Sequence, residues 1–227
     1  MSNSKLTSSW STNTLEIFTT HFPPEWIEEL YQLYRSYIQK HPPKNIKFFE
    51  SPGEYYFQTS GNSSCSLLKY TTGYFKGLLY PPNISALEYI IVNLNTFQNL
   101  KVIDNGCGVG MLSVFLQKLG IECYNQDSLQ QVGNVPVFDQ HIKEFMTIHP
   151  VTSDVPDDAQ VIISMGMWCD NPEYLNLSDV KYFIIDSVWR DKGVARDLKN
   201  KFHLSEDDEL DPGGLIGVYR NPMEDVF

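Results

Sequence analysis

The stretch Lys101-Val102-Ile103-Asp104-Asn105-Gly106-Cys107-Gly108-Val109-Gly110-Met111-Leu112-Ser113 decides the fold of this chain. A short apolar run ends in an acid, passes through alternating glycines and enters an apolar-periodic segment, residues 112–119. This order predicts a buried strand, a tight glycine turn and the start of a helix. Because glycine has no Cβ, backbone N–H groups at such a turn can approach a ligand closely.

The sequence that follows this stretch has the pattern of a nucleotide-binding fold. Gly120 ends the predicted helix, residues 121–124 form a second predicted strand, and the acid Asp127 comes next. An acid about 20 residues after the glycine turn is where nucleotide-binding folds place the acceptor for ribose hydroxyls. The pattern therefore predicts a ligand that contains a nucleoside.

The residues of the glycine turn disfavour two common nucleotide ligands. A dinucleotide-binding turn requires glycine where this chain has Met111, and a phosphate-binding P-loop requires a lysine. No lysine or arginine lies between Val102 and Gln117, so the turn has no basic partner for a pyrophosphate.

Residues 102–113 resemble motif I of the class I S-adenosylmethionine-dependent methyltransferases, in which an acid precedes Gly-x-Gly-x-Gly. The resemblance implies S-adenosylmethionine as the cofactor. Asp104 is then expected to orient the glycine turn or the methionine ammonium, the glycines to admit the cofactor, and Asp127 to accept the ribose hydroxyls. The complete set of cofactor-binding residues predicted in this way is Asp104, Gly106, Cys107, Gly108, Gly110, Asp127, Asp154 and Ser164.

The resemblance also implies a Rossmann-like α/β fold, with a seven-stranded, mostly parallel sheet whose last strand is antiparallel. Continuous apolar runs predict parallel strands at residues 100–105, 159–164 and 181–186. Residues 84–94 and 194–202 have helical periodicity, and residues 202–220 have the pattern of a hairpin that closes the edge of the sheet.

The third strand has two possible placements. It occupies either residues 135–139, ending at Asp139, or residues 148–152, followed by Asp154. We favour the second placement because it leaves both crossover connections long enough to join parallel neighbours. It also places Asp154 in the loop where the family often binds the adenine amino group.

The chain divides into an N-terminal extension, residues 1–83, and a methyltransferase-like domain, residues 84–227. Within the extension, residues 25–40 predict a helix whose apolar positions form a packing face; these are Trp26, Leu30, Leu33, Tyr34 and Tyr37. Residues 55–80 are rich in aromatic residues and glycine. They form either a lid over the site or a cover on the outer face of the sheet.

Candidate catalytic residues follow the predicted fourth and fifth strands, because ligands bind at the carboxyl ends of strands in open α/β sheets. Residues 164–172 depart from the Asn/Asp-Pro-Pro-Tyr/Phe motif of amide and base methyltransferases, which disfavours those substrates. Trp168 is a candidate wall of the methyl site and Asp170 a candidate general base. Arg190 is placed to hold an anionic substrate or to pair with a nearby acid.

Composition limits the classes of partner and compartment. The chain has 227 residues, 17 basic and 28 acidic, and its net charge of −11 disfavours a broad nucleic-acid surface. The four cysteines have no Cys-x-x-Cys spacing, so we expect neither a disulfide framework nor a metal site. No apolar segment approaches the length that spans a membrane, and we expect a soluble, cytoplasmic protein.

The sequence therefore predicts an enzyme that transfers a methyl group from S-adenosylmethionine to an O or N nucleophile of a small molecule or protein. The alternative is a non-catalytic binding subunit that retains the methyltransferase fold. Nucleic acid ranks third as a substrate because of the negative charge.

Overall fold

The computed structural model describes residues 12–40, 49–51, 54–56, 78–79, 81–107, 110–127, 154–165, 172–187, 189–191, 193–206 and 215–222. The helices are α1 (Thr12–His21), α2 (Pro24–Lys40), α3 (Pro81–Val92), α4 (Leu94–Phe97), α5 (Met111–Lys118) and α6 (Gly193–Lys201), with a 3-10 helix, η1, at Pro172–Asn176. The strands are β1 (Phe49–Ser51), β2 (Glu54–Tyr56), β3 (Val102–Asn105), β4 (Cys123–Gln126), β5 (Val161–Ser164), β6 (Tyr182–Asp186), β7 (Ser205–Glu206) and β8 (Ile216–Arg220).

The main sheet has six strands within the described residues, in the order β4-β3-β5-β6-β8-β7. Strands β4, β3, β5 and β6 run parallel, whereas β8 is antiparallel to β6 and β7 is antiparallel to β8. The mostly parallel sheet, the antiparallel last strand and the closing hairpin are thus confirmed. Both placements of the predicted third strand, residues 135–139 and 148–152, lie outside the described residues.

The central strands have apolar layers on both faces, which explains their continuous apolar sequences. Because successive side chains point to opposite faces, Val102 and Ile103 enter different apolar clusters. The cluster around Val102 includes residues of α1, α2, α3 and α5, and we call this side of the sheet the α5 face. The cluster around Ile103 includes residues of η1 and α6, and we call this side the η1 face.

Two N-terminal helices contribute to the core on the α5 face. The ring of Phe22 meets the ring of Phe115 at 5.0 Å between centroids, and Trp26 meets Phe115 at 5.1 Å, both edge-on. The predicted helix at residues 25–40 is confirmed, but assigning Leu33 to its packing face was wrong. This side chain is 59% exposed, because the face that packs runs through Ile27 and Leu30.

The rest of the N-terminal extension is described only in part. Strands β1 and β2 form a small antiparallel sheet, which was not predicted from the sequence. Residues 57–77, most of the aromatic segment predicted to be a lid or a cover, lie outside the described residues. The domain boundary at residues 83 and 84 remains a prediction.

Two predicted boundaries need correction. The second strand runs to Gln126 rather than ending at residue 124, so Asp127 follows it directly. The helix predicted at residues 84–94 begins earlier, at Pro81, and a break at Asn93 separates α3 from α4.

No helix in the described part of the chain is long and apolar enough to cross a membrane.

Candidate cofactor site

The glycine turn after β3 has the left-handed backbone that its sequence requires. Gly106 and Gly110 have φ angles of +73° and +72°, which residues other than glycine rarely adopt. The N–H groups of Gly106 and Cys107 both donate to the main-chain carbonyl of Gln126, at 2.8 and 3.2 Å. The turn is therefore bonded directly to the end of β4. Gly108, at the centre of the motif, lies outside the described residues.

Two buried carboxylates flank this turn. Asp104 near the end of β3 and Asp127 directly after β4 are 3% and 4% exposed. Asp104 pairs in register with Asn125 on the neighbouring strand, two residues before Asp127. Strand alternation therefore places both acids toward the α5 face, where the glycine turn enters α5. The structure thus brings together the two acids that the sequence selected for cofactor contacts.

The electrostatics of this pair favour a ligand that donates hydrogen bonds or carries positive charge. Burial, reinforced by the charge of Asp127, raises the pKa of Asp104 to about 7. Its Oδ2 atom has no hydrogen-bond partner among the described residues. A buried carboxylate oxygen without a donor is costly, so a cation at this position relieves both the desolvation and the repulsion between the acids.

Neutral hydrogen bonds join the strand ends on the η1 face. Asn105 Nδ2 donates to Ser164 Oγ at 2.9 Å, and the two residues pair in register between β3 and β5. The hydroxyl of Tyr174 in η1 donates to Oε1 of Gln126. The sequence did not single out Asn105, Gln126 or Tyr174. A signal was available for Asn105 and Gln126, each a polar residue at the last position of a buried strand, whereas Tyr174 lies in η1 and carries no such signal.

The other predicted cofactor residues lie in different surroundings. Ser164 is fully buried on the η1 face, opposite the face of Asp104. Asp154 is exposed and precedes β5 by a short connection. Cys107 lies within the glycine turn beside the acids, and burial raises the pKa of its thiol far above the ordinary value. Cys107 is therefore neutral at physiological pH and is not a thiolate nucleophile.

The three candidate catalytic residues are only partly described. Trp168 and Asp170 lie outside the described residues. Arg190 follows β6 and is half-exposed, with Nη1 3.4 Å from Oε1 of Glu206 on the outermost strand and Nε 3.6 Å from Asp191. Arg190 therefore pairs with nearby acids, which is one of the two roles that the sequence left open for it; its contact with an anionic substrate stays a prediction.

No protein-family model matches this chain, and no curated protein matches it. Among solved structures, it is similar to a magnesium protoporphyrin IX methyltransferase from Synechocystis PCC 6803 with bound S-adenosylmethionine, at 16% identity over 61% of this chain and 77% of that chain, with a TM-score of 0.42. A SAM-dependent methyltransferase from Aquifex aeolicus matches at 16% identity over 63% of this chain and 89% of that chain, with a TM-score of 0.41. A ribosomal protein L11 methylase from Lactobacillus delbrueckii subsp. bulgaricus matches at 17% identity over 59% and 76%, with a TM-score of 0.39.

Proposed function

We propose that this protein is an S-adenosylmethionine-dependent methyltransferase. The observation that carries the proposal is the buried acid pair, Asp104 and Asp127, beside a glycine turn at the start of α5. Among the described residues, the Oδ2 atom of Asp104 has no hydrogen-bond donor, and Asp127 follows the strand whose end faces a nucleotide sugar in folds of this kind.

Each part of the site fits one group of this cofactor. The methionine ammonium is a cation with several N–H donors, which matches Oδ2 of Asp104, an oxygen without a donor in the part of the chain that the structure describes. The ribose hydroxyls are paired donors, which match the carboxylate of Asp127. Gly106 and Gly110, whose φ angles are positive, place no side chain where the cofactor approaches the backbone. When bound, S-adenosylmethionine supplies an electrophilic methyl group on a sulfonium.

The charges also explain why a nicotinamide dinucleotide is the poorer candidate. Two buried carboxylates next to the turn repel a pyrophosphate, and residues 103–116 include no lysine or arginine to offset that repulsion. The same acids attract a ligand with positive charge on its ammonium and sulfonium groups. We therefore infer that the glycine turn is adapted to a cationic nucleoside.

We propose an oxygen or nitrogen nucleophile of a small molecule or protein as the methyl acceptor. In-line transfer requires the nucleophile, methyl carbon and sulfur to be aligned, and a base wherever the nucleophile carries a proton. We assign Asp170 as the candidate base and Trp168 as a wall of the acceptor site, both in the connection after β5. Arg190, held by Glu206, is a candidate contact for an anionic acceptor. Asp154 and Ser164 remain proposed cofactor contacts.

Calorimetric titration with S-adenosylmethionine, S-adenosylhomocysteine and NAD tests the cofactor assignment. We expect saturable binding of the first two ligands and none of NAD. Binding of NAD alone would contradict the proposal. Release of S-adenosylhomocysteine is then followed with mixtures of small-molecule and protein acceptors, and saturable binding without turnover on any acceptor would favour the non-catalytic binding subunit.

A further inference from the structure

A buried tyrosine on the η1 face, Tyr174, is linked to the proposed cofactor site through Gln126. Tyr174 is completely buried, and its hydroxyl donates to the side-chain oxygen of Gln126, a residue 48 positions away in the chain. Gln126 is itself 5% exposed and is the last residue of β4. Asp127, the proposed ribose contact, follows it directly.

The main chain of Gln126 has a second role. Its carbonyl accepts the N–H groups of Gly106 and Cys107, which form the beginning of the glycine turn. Gln126 therefore bonds the turn through its main chain and Tyr174 through its side chain. Because Gln126 is hydrogen-bonded on both sides, Asp127, the next residue, is held in position relative to the glycine turn.

Tyr174 and Asp127 lie on opposite sides of the sheet, so Tyr174 influences the position of Asp127 without contacting the cofactor itself. Alternation along β4 sends the Gln126 side chain to the η1 face, where Tyr174 packs in the apolar cluster with Ile103 and Phe183. Asp127 is directed to the opposite face, beside Asp104. Tyr174 thus lies on the opposite side of the sheet from the two acids and is connected to them through the end of β4.

We infer that Tyr174 is a positioning residue that holds Asp127 in place for the cofactor ribose through its hydrogen bond to Gln126. This inference rests on the proposed function. The inference goes beyond the proposed function by assigning a role to a residue of η1. This helix follows residues 166–171, which include the candidate base Asp170. A supporting group that locks the orientation of a ligand-binding residue strengthens binding because less ordering is needed when the ligand arrives.

The test uses Tyr174→Phe, which removes the hydroxyl and keeps the buried ring. We expect S-adenosylhomocysteine to bind about fivefold to tenfold more weakly, as for loss of one buried hydrogen bond that orders the site. Tyr219→Phe is the matched control. Tyr219 lies in the same apolar cluster, 4% exposed, but on β8, four strands from β4. We expect its affinity to stay within about twofold of wild type.

A double-mutant cycle distinguishes positioning from general loosening of the core. Once Asp127→Asn has weakened the ribose contact, adding Tyr174→Phe should cost less than about twofold in affinity, because the two residues act as one unit. The full fivefold to tenfold loss in that background would overturn the inference, as would wild-type affinity in the Tyr174→Phe single variant. If wild type itself failed to bind S-adenosylhomocysteine, the proposed function would be contradicted, and the inference with it.

Discussion

The carboxylate of Asp127 reinforces the effect of burial on Asp104, and together they raise the pKa of Asp104 to about 7. Asp104 lies in β3, Asp127 directly follows the neighbouring parallel strand β4, and both are directed to the α5 face. Like charges in a buried site are unfavourable unless a ligand or proton compensates them. This relationship gives the ligand-free protein a carboxyl group that titrates near neutral pH, at the place where we propose the cofactor ammonium binds.

Binding of S-adenosylhomocysteine should strengthen as the pH rises through 7. The ammonium binds the ionised form of Asp104, so protonation competes with the ligand below a pKa of about 7. This competition predicts an affinity about tenfold higher at pH 8 than at pH 6. Titration calorimetry at both pH values measures it, and Asp104→Asn, which cannot ionise, should lose the dependence. A flat profile in wild type would place the ammonium away from Asp104.

The substitution Asp104→Asn should stabilise the ligand-free protein at pH 8 but not at pH 4. A raised folded-state pKa means that the folded protein binds the proton more tightly than the unfolded chain. The contribution of Asp104 to stability therefore falls as the pH rises from about 4 to about 7 and stays low above that. The neutral amide avoids this loss, so we expect a gain of roughly 2–4 kcal/mol in the free energy of unfolding at pH 8. Urea unfolding at both pH values measures the difference, and an equal gain at pH 4 would argue against titration of Asp104.

The substitution Asp127→Ala should weaken S-adenosylhomocysteine binding by roughly 1–3 kcal/mol, because it removes charged hydrogen bonds to two hydroxyls. Calorimetric dissociation constants for the variant and wild type give the change. An unchanged constant would mean that a different acid, or a different ligand, occupies this role.

The substitution Gly106→Ala should reduce both stability and cofactor affinity. Its φ of +73° disfavours a side chain by roughly 1–2 kcal/mol, and a Cβ at the turn obstructs the approach of the ligand. Gly120→Ala is the matched control, because Gly120 has a φ of +79° at the other end of α5. Among the described residues, a Cβ added there meets Gln98 Nε2 at 3.7 Å, which is an ordinary contact distance. Both variants should unfold more easily by a similar amount in thermal melts.

Only the Gly106→Ala variant should also bind S-adenosylhomocysteine at least about tenfold more weakly. Equal affinities for the two glycine variants would show that Gly106 does not face the ligand.

The substitution Phe22→Ala should cost about 3–5 kcal/mol of unfolding free energy, because it empties a fully buried position between α1 and α5. On α2, Leu33→Ala is the control and should cost less than about 0.5 kcal/mol, since its side chain is 59% exposed. Denaturant unfolding of both variants compares them. A small loss for Phe22→Ala would mean that the N-terminal helices are not part of the cooperative core.

Local sequence was sufficient to predict the elements that form the candidate site. The apolar run at residues 100–105, the glycines after it and the periodicity of residues 112–119 predicted β3, its turn and α5, because each depends on near-neighbour sterics and side-chain alternation. Asp127 was selected by its distance from that turn, and Asp104 by the resemblance of residues 102–113 to motif I, in which an acid precedes the glycines. The bounds of β4 were wrong by two residues, because its ladder with β3 continues through Asn125 and Gln126.

By itself, then, the sequence determined the strand–turn–helix unit, the parallel strands, the antiparallel closing hairpin and the two acids. Only the tertiary structure decided which residues meet across the strand ends. Asn105 contacts Ser164 across 59 positions of the chain, and Gln126 contacts Tyr174 across 48. Such contacts depend on strand order and register, which no local pattern encodes, and the raised pKa of Asp104 depends on the burial that the assembled sheet creates.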